Sequence, residues 1–180
     1  YIRELIPENQ GLIKEIEDYA YENNVPVVHP EVAQLLKVLI RISKPNRILE
    51  VGTAIGYSAL IMASCKEDIE VITVERREDM IEIAQENINK CGFQDKIKII
   101  NGDAQDVLND IEGKFDFIFL DAAKGHYKEF YSNLIKNLNK GGIIVSDNIL
   151  FKGMIATDEL VIRRKKTIVK RLRKYLEYIN

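Results

Sequence analysis

The sequence predicts an α/β protein with a Rossmann-like, doubly wound and mostly parallel sheet that carries helices on both faces. Short runs of β-branched and aromatic residues recur along the chain, as is typical of buried strands. Segments with apolar residues at helical spacing lie between these runs, and glycine, proline and polar residues mark the boundaries. Strands that alternate with helices favour a parallel sheet whose ligands bind at the carboxyl ends of the strands.

Five strands are predicted, each an apolar run bounded by turn residues. The first, Arg47–Val51, follows Pro45 and precedes a glycine-rich loop. The other four are Glu70–Glu75, residues 96–101, Phe115–Leu120 and residues 142–146. No further clear strand follows Ser146, so we expect a five-stranded sheet that lacks a final strand hairpin.

The predicted helices show apolar residues at intervals of three and four. Two helices, over about residues 8–22 and 30–42, precede the first strand. A third follows Glu75 and ends at Gly92, and a fourth precedes the last strand. Their apolar faces carry Ile81, Ala84, Ile88 and Cys91, and Phe130, Leu134, Ile135 and Leu138. A long final helix over about residues 158–179 is expected to direct five side chains inward: Leu160, Ile168, Leu172, Leu176 and Ile179.

Composition and charge exclude several classes of protein. No apolar run approaches the ~18–20 residues of a membrane span, and the first residues lack the apolar core of a signal peptide. The two cysteines, Cys65 and Cys91, are expected to be reduced thiols in the cytoplasm. With only His29 and His126 besides, no zinc motif is recognisable. A net charge of −2 excludes a wholly basic nucleic-acid binder but permits a local basic patch.

Residues 50–58 join the first strand to the next helix and are the most informative part of the sequence. Gly52 and Gly56 permit tight turns and close approach of a ligand, and Ser58 falls at the predicted helix N-terminus. The third glycine of the dinucleotide fingerprint is missing. Glu50 would oppose a pyrophosphate, whereas a carboxylate suits a cofactor with an ammonium group and a sulfonium. The loop therefore favours S-adenosylmethionine over a dinucleotide.

Further polar residues mark the same edge of the sheet. Glu75 ends the second strand, where an acid can accept hydrogen bonds from ribose hydroxyls. Asp103 and Ala104 follow the third strand. The alternative is a generic turn with solvated acids. We favour a cofactor site because the glycine loop and the strand-end acids all fall where a doubly wound fold binds ligands.

Carboxylate and amide side chains follow the fourth and fifth strands. Asp121 ends the fourth strand, and Asp147 and Asn148 end the fifth. In a doubly wound sheet these ends can be neighbours, and such oxygen ligands suit Mg²⁺ or Mn²⁺. Either segment alone is equally typical of an ordinary turn. Their combination beside a cofactor loop predicts a divalent metal site.

Lys124 lies three residues beyond Asp121. A lysine is usually a solvated surface cation, but here it could deprotonate or orient a substrate hydroxyl. No Ser-His-Asp or Cys-His pairing is apparent, and direct methyl transfer from sulfur to oxygen needs no protein nucleophile. The task is alignment and stabilisation of the oxyanion, for which we interpret Asp121 and Lys124 as the catalytic residues.

Five motifs lie in order within the region from about residue 25 to residue 153: ILEVGTAIGYSAL, VITVERREDM, INGDA, FIFLDAAKGHY and GGIIVSDNIL. Together they resemble the metal-dependent class I O-methyltransferases related to caffeoyl-CoA and catechol O-methyltransferases. The resemblance implies a Rossmann-like domain, usually a homodimer, with S-adenosylmethionine and Mg²⁺ or Mn²⁺ as cofactors. It implies metal ligation by Asp121, Asp147 and Asn148, and Lys124 matches the family's proposed base. It implies cofactor contacts at Val28, Glu50, Gly52, Thr53, Ser58, Glu75 and Ala104.

The chain departs from the family pattern in two places. Plant caffeoyl-CoA enzymes carry a second acid two residues past the metal aspartate, where this chain has Ala123, which argues against a plant-like substrate. The family usually continues past the final helix into two more strands, which are missing from this sequence.

Residues 163–174, called the basic segment below, hold eight basic residues in twelve. The ordinary interpretation is a solvated helix face, and the functional one is a footprint for a phosphate backbone. With the DAAKG motif, the segment resembles the bacterial branch that methylates 5-hydroxyuridine at the tRNA wobble position to 5-methoxyuridine. That nucleoside has adjacent oxygens at C4 and C5, so it could chelate a metal as a catechol does.

The sequence is therefore interpreted as one domain over residues 1–180. Helices occupy residues 1–45, the cofactor and metal core residues 46–153, and the basic C-terminal helix residues 154–180. We expect a metal-dependent O-methyltransferase that acts on tRNA and has no membrane partner. A methyltransferase of a small catechol or phenol is the alternative. A binding module that has lost catalysis is a third possibility, and it would bind the cofactor without turnover.

Overall fold

A computed structural model describes Tyr1 and residues 3–180, and it confirms the predicted α/β architecture. Over these residues one sheet contains five parallel strands in the order β3-β2-β1-β4-β5. The strands are β1 (Arg47–Val51), β2 (Glu70–Glu75), β3 (Ile97–Asn101), β4 (Phe115–Leu120) and β5 (Leu138–Ser146). Strand order reverses between β1 and β4, and in such sheets the crevice at this switch point binds ligands.

Helices cover both faces of the sheet. In chain order they are α1 (Gly11–Glu22), α2 (Pro30–Ser43), α3 (Tyr57–Ala63), α4 (Glu78–Lys90), α5 (Ala104–Asp110), α6 (Tyr127–Leu134) and α7 (Lys166–Ile179). Side chains of α1 to α4 pack into one apolar core, and those of α5 to α7 into another across the sheet. Ile48 faces the first core and Leu49 the second, because successive strand residues point to opposite faces. Within the described residues, no helix has the length and apolar character needed to cross a membrane.

The starts of α1 and β5 differ from the prediction. Helix α1 begins at Gly11 rather than near residue 8, since Gln10 has an extended backbone. Strand β5 begins at Leu138, which the periodicity had assigned to the preceding helix. Leu138 pairs with Phe115 through a register irregularity in β5, where Gly141 adopts a φ of +82°. Such a left-handed residue allows a bulge, and this feature obscured the start of the strand.

The predicted start of the C-terminal helix is wrong. Helix α7 begins at Lys166, after an extended residue and a short 3-10 turn. Arg173 explains the difference, because it pairs with Asp158 at 2.7 Å and donates to two carbonyl oxygens of the preceding turn. The segment is thereby folded back against α7 instead of extending it. Leu160 and Ile179 are exposed, and the buried face consists of Val169, Leu172 and Tyr175.

Candidate functional site

A cavity of about 380 Å³ opens at the carboxyl ends of the central strands. Its wall contains seven of the eight predicted cofactor residues: Val28, Gly52, Thr53, Ser58, Glu75, Asp103 and Ala104. Asp121 and Lys124 line the same cavity from the end of β4. The structure thus brings the glycine loop and the predicted catalytic pair together at one site.

The glycine loop is held close to the end of β4. Gly52 has a φ of +108°, and its N–H donates to the Val74 carbonyl at 3.0 Å. A Cβ at this position would overlap the carbonyl oxygen of Asp121. From α4, the Asn87 amide donates to the Ile55 carbonyl at 2.9 Å, which secures the far side of the loop. Only glycine meets both the left-handed conformation and the close approach to β4.

Glu75 connects the end of β2 to the glycine loop. Its carboxylate accepts the N–H of Ala54 at 3.0 Å, and those of Arg76 and Arg77 at 2.9 and 3.1 Å. The side chain is half-buried in the cavity wall. An ionised carboxylate has about four acceptor sites, so these three donors leave about one free, on Oε2.

Asp103 has a structural role in the cavity wall. It caps helix α5 by accepting the Gln105 N–H at 3.0 Å, and it pairs with Arg76 at 3.0 Å. The hydrogen bond from Gln105 and the bond from Arg76 hold the pKa of Asp103 below its ordinary value. Asp103 shapes the cavity and presents the neighbouring Ala104 to it.

Glu50, by contrast, lies beneath the cavity and does not line it. Its side chain is fully buried; Oε2 accepts the Thr73 hydroxyl at 2.6 Å, and Oε1 has no partner. Burial raises the pKa of the Glu50 carboxyl to about 8, although the hydroxyls of Ser58 and Thr73 oppose this rise. The negative charges of Asp121 and Glu75 add to it. Direct contact between Glu50 and a cofactor stays a prediction.

Asp121 and Asp147 lie at the adjacent ends of β4 and β5. The Asp147 N–H donates to the Leu120 carbonyl at 2.9 Å, which continues the pairing of the two strands. Lys124 places its Nζ 3.5 Å from Oδ1 of Asp121. Burial raises the pKa of Asp121, the charge of Lys124 opposes the rise, and the charge of Asp147 adds to it. The two carboxylates are therefore close enough to influence each other.

Asn148 is the third predicted metal ligand; it is exposed, and neither it nor Asp147 lines the cavity. It has a φ of +55°, and its N–H donates to Oδ1 of Asp147 at 2.6 Å. Across the described residues, no group of three or more His, Cys, Asp or Glu side chains is placed to hold a metal ion. The predicted set has two carboxylates and one amide, and oxygen donors of this kind fit Mg²⁺ or Mn²⁺.

Tyr127 belongs to this site, although none of the sequence patterns above assigned it a role. Its buried hydroxyl lies 3.0 Å from the Leu120 carbonyl oxygen and 3.2 Å from that of Asp147. It therefore links the two strand ends that carry the predicted metal ligands. Burial raises the pKa of Tyr127 well above its ordinary value. Its position within FIFLDAAKGHY was the only signal in the sequence.

The basic segment borders the site. Six of its basic side chains are exposed: Arg163, Arg164, Lys166, Lys170, Arg171 and Lys174. The Arg171 guanidinium reaches the Gly125 carbonyl at 3.5 Å, next to Lys124. Arg173 forms an ion pair with Asp158, so its charge already has a partner within the chain.

Comparison with known proteins agrees with this geometry. The family profile described as O-methyltransferase matches residues 4–178. The caffeoyl-CoA O-methyltransferase of Populus kitakamiensis is 36% identical over 141 residues, which cover 75% of this chain and 59% of that protein. The catechol O-methyltransferase of Niastella koreensis is 30% identical over 162 residues, which cover 86% of this chain and 73% of that protein. An O-methyltransferase from Bacillus cereus, solved in complex with SAH, aligns with a TM-score of 0.85 at 26% identity, over 99% of this chain and 83% of that one.

The matched region spans 59% of the Populus protein, less than two thirds of its length. The family profile nevertheless covers nearly the whole of this chain, and the site lies inside the matched region. The chain belongs to the O-methyltransferase family.

Proposed function

We propose that this protein transfers the methyl group of S-adenosylmethionine to a hydroxyl of a small phenolic molecule with two adjacent oxygens. The observation that carries the proposal is one cavity whose wall contains both the glycine loop after β1 and the pair Asp121 and Lys124 after β4. The relatives named for caffeoyl-CoA and catechol support the small-molecule alternative over tRNA, which the basic segment had favoured.

The cavity wall fits this cofactor. Gly52 lets the backbone approach a ligand, and Glu75 has a free acceptor site on Oε2 for a ribose hydroxyl. Glu50 has a buried carboxyl oxygen without a partner, and its ionised form favours a cationic ligand in the neighbouring cavity. When bound, S-adenosylmethionine would supply the methyl group for direct transfer from sulfur to the substrate oxygen, with S-adenosylhomocysteine as the leaving group and the hydroxyl proton released to solvent. The chain's task is then to align the two reactants.

A divalent cation held by Asp121, Asp147 and Asn148 is part of the proposal. When bound, such a cation polarises and orients a substrate hydroxyl. Lys124 lies beside Asp121 in the cavity wall, where its ammonium group stabilises the negative charge that develops on the reacting oxygen. Tyr127 holds the ends of β4 and β5 together and so maintains the separation of the two carboxylates.

The test is an assay of the purified protein with labelled S-adenosylmethionine, Mg²⁺ and catechol. We expect methylated catechol, and no product after the metal is removed with EDTA. Binding of S-adenosylmethionine by calorimetry, without methylation of any catechol or RNA, would instead identify a binding module without catalysis.

Replacing Glu75 by alanine should weaken S-adenosylmethionine binding by about 1–3 kcal/mol, because the protein then lacks a ribose partner and the tie to the glycine loop. Calorimetry measures the change. Glu78→Ala, which removes an exposed acid just outside the site, is the matched control and should leave the affinity unchanged. Equal affinities in wild type and Glu75→Ala would remove Glu75 from the cofactor site.

A tRNA substrate carrying 5-hydroxyuridine is the second candidate function. The observation in its favour is the exposed basic face of α7, which reaches the loop beside Lys124 through Arg171. A helix that presents this many exposed cations, one of which reaches the loop beside Lys124, suits a phosphate backbone.

Neutralising the start of the basic segment distinguishes the two substrates. Substitution of Arg163, Arg164, Lys165 and Lys166 by glutamine should weaken tRNA binding if they bind phosphates. The log–log salt dependence should flatten by about 0.9 for each phosphate that is no longer neutralised. Methylation of catechol should change little. Filter binding of tRNA over a salt series measures the effect, and unchanged tRNA binding would identify a solvated helix face.

A further inference from the structure

We propose that Thr73 is a positioning residue for the cofactor, whose hydroxyl links the buried carboxyl group of Glu50 to Thr53 in the cavity wall. The proposal rests on the proposed S-adenosylmethionine site and deepens it. Thr73 does not line the cavity, so it acts on the ligand only through its neighbours.

The parallel pairing of β1 with β2 creates the link. Glu50 and Thr73 are register partners, and both side chains are fully buried. The Thr73 hydroxyl donates to Oε2 of Glu50 at 2.6 Å. The Thr53 and Thr73 hydroxyl oxygens are also 2.6 Å apart. Three side chains thus form one continuous chain of hydrogen bonds from the sheet interior to the cavity wall.

The direction of these bonds follows from the number of protons available. When Glu50 is ionised, Thr73 donates its one hydrogen to Oε2, so it can only accept from Thr53. Thr53 therefore donates its hydrogen to Thr73. Its lone pairs can then accept a hydrogen bond from a donor in the cavity. Hydrogen bonds in such a chain polarise one another, so the charge of Glu50 strengthens Thr53 as an acceptor. The ligand chemistry that this favours is a cation or a hydrogen-bond donor.

The charges around Glu50 make its protonation sensitive to this link. Asp121 faces it from the end of β4 and Glu75 from the end of β2, while α3 contributes the hydroxyl of Ser58. Burial and the two acids favour the protonated carboxyl, whereas the hydroxyls of Ser58 and Thr73 favour the ionised one. A cationic ligand also favours the ionised form. Its binding should therefore release a proton from Glu50 and become tighter as the pH rises.

The experiment measures S-adenosylmethionine binding by calorimetry from about pH 6 to about pH 9.5, a range that brackets the titration of Glu50. Thr73→Val removes the hydroxyl at nearly constant volume. It should weaken binding near neutral pH on the order of tenfold and move the midpoint of the pH profile upward. Thr73→Ser restores the hydroxyl and should recover most of the affinity. Glutamine does not titrate, so the S-adenosylmethionine affinity of the Glu50→Gln protein should depend less on pH than that of the wild type.

Val71→Ala is the control for general damage to β2, since Val71 is buried on the same face two residues earlier. It should lower the melting temperature without moving the pH midpoint. Titration of the ligand's own amino group is common to all variants and cancels in the comparison. A Thr73→Val protein with wild-type affinity and midpoint would overturn the proposal, as would a Thr73→Ser protein as weak as Thr73→Val. Absence of binding by the wild type would overturn the proposed function together with this link.

Discussion

Replacing Asp121 by asparagine should lower methyl transfer on the order of 10³-fold, because it removes a charge from both the cation site and the pair with Lys124. The substitution keeps the shape of the side chain, and the backbone N–H still donates to the Val51 carbonyl. The loss should therefore appear in kcat, whereas S-adenosylmethionine affinity should change much less. Asp147→Ala is expected to have an effect of similar size, through the second carboxylate.

Asp116→Asn is the matched control for this prediction. Asp116 lies near the other end of β4, where its carboxylate accepts the N–H groups of Asn46 and Arg47 at 2.9 and 3.1 Å. Its substitution should lower stability slightly and leave the rate of methylation intact. Assays in excess EDTA complete the test. Full activity of the wild type without metal would show that the cation has no role, and full activity of Asp121→Asn would exclude that carboxylate from catalysis.

Replacing Gly52 by alanine should abolish measurable S-adenosylmethionine binding and lower the free energy of unfolding by about 3 kcal/mol or more. Two costs combine at this position. The φ of +108° is unfavourable for any residue with a Cβ, and that Cβ would overlap the Asp121 carbonyl oxygen. Relief of the overlap requires the glycine loop and the end of β4 to separate, which would disrupt both halves of the site.

Gly92→Ala is the control that measures the cost of the left-handed backbone without a steric overlap. Gly92 has a φ of +74° at the end of α4, and a Cβ there would meet no atom within 4 Å. Its substitution should cost only about 1 kcal/mol, the ordinary penalty of a left-handed conformation. Chemical denaturation measures both stabilities, and calorimetry measures the affinity. A Gly52→Ala protein no less stable than Gly92→Ala would contradict the close approach of the two loops.

The sequence by itself determined the α/β class, the strands and most of the helices, because these follow from local periodicity and turn residues. It also determined which polar residues end the strands, and a parallel sheet collects those ends at one edge. Seven of the predicted cofactor residues, together with Asp121 and Lys124, accordingly line one cavity.

Only the tertiary structure decided the contacts that depend on which strands are neighbours. Pairing of β1 with β2 places Thr73 opposite Glu50, and this pairing leaves Glu50 beneath the cavity rather than in its wall. Tyr127 joins the ends of β4 and β5, and Arg173 sets the start of α7 by holding the preceding segment. These features arise from hydrogen bonds between residues distant in sequence. No local pattern of spacing encodes them, because each partner becomes available only after the sheet has assembled.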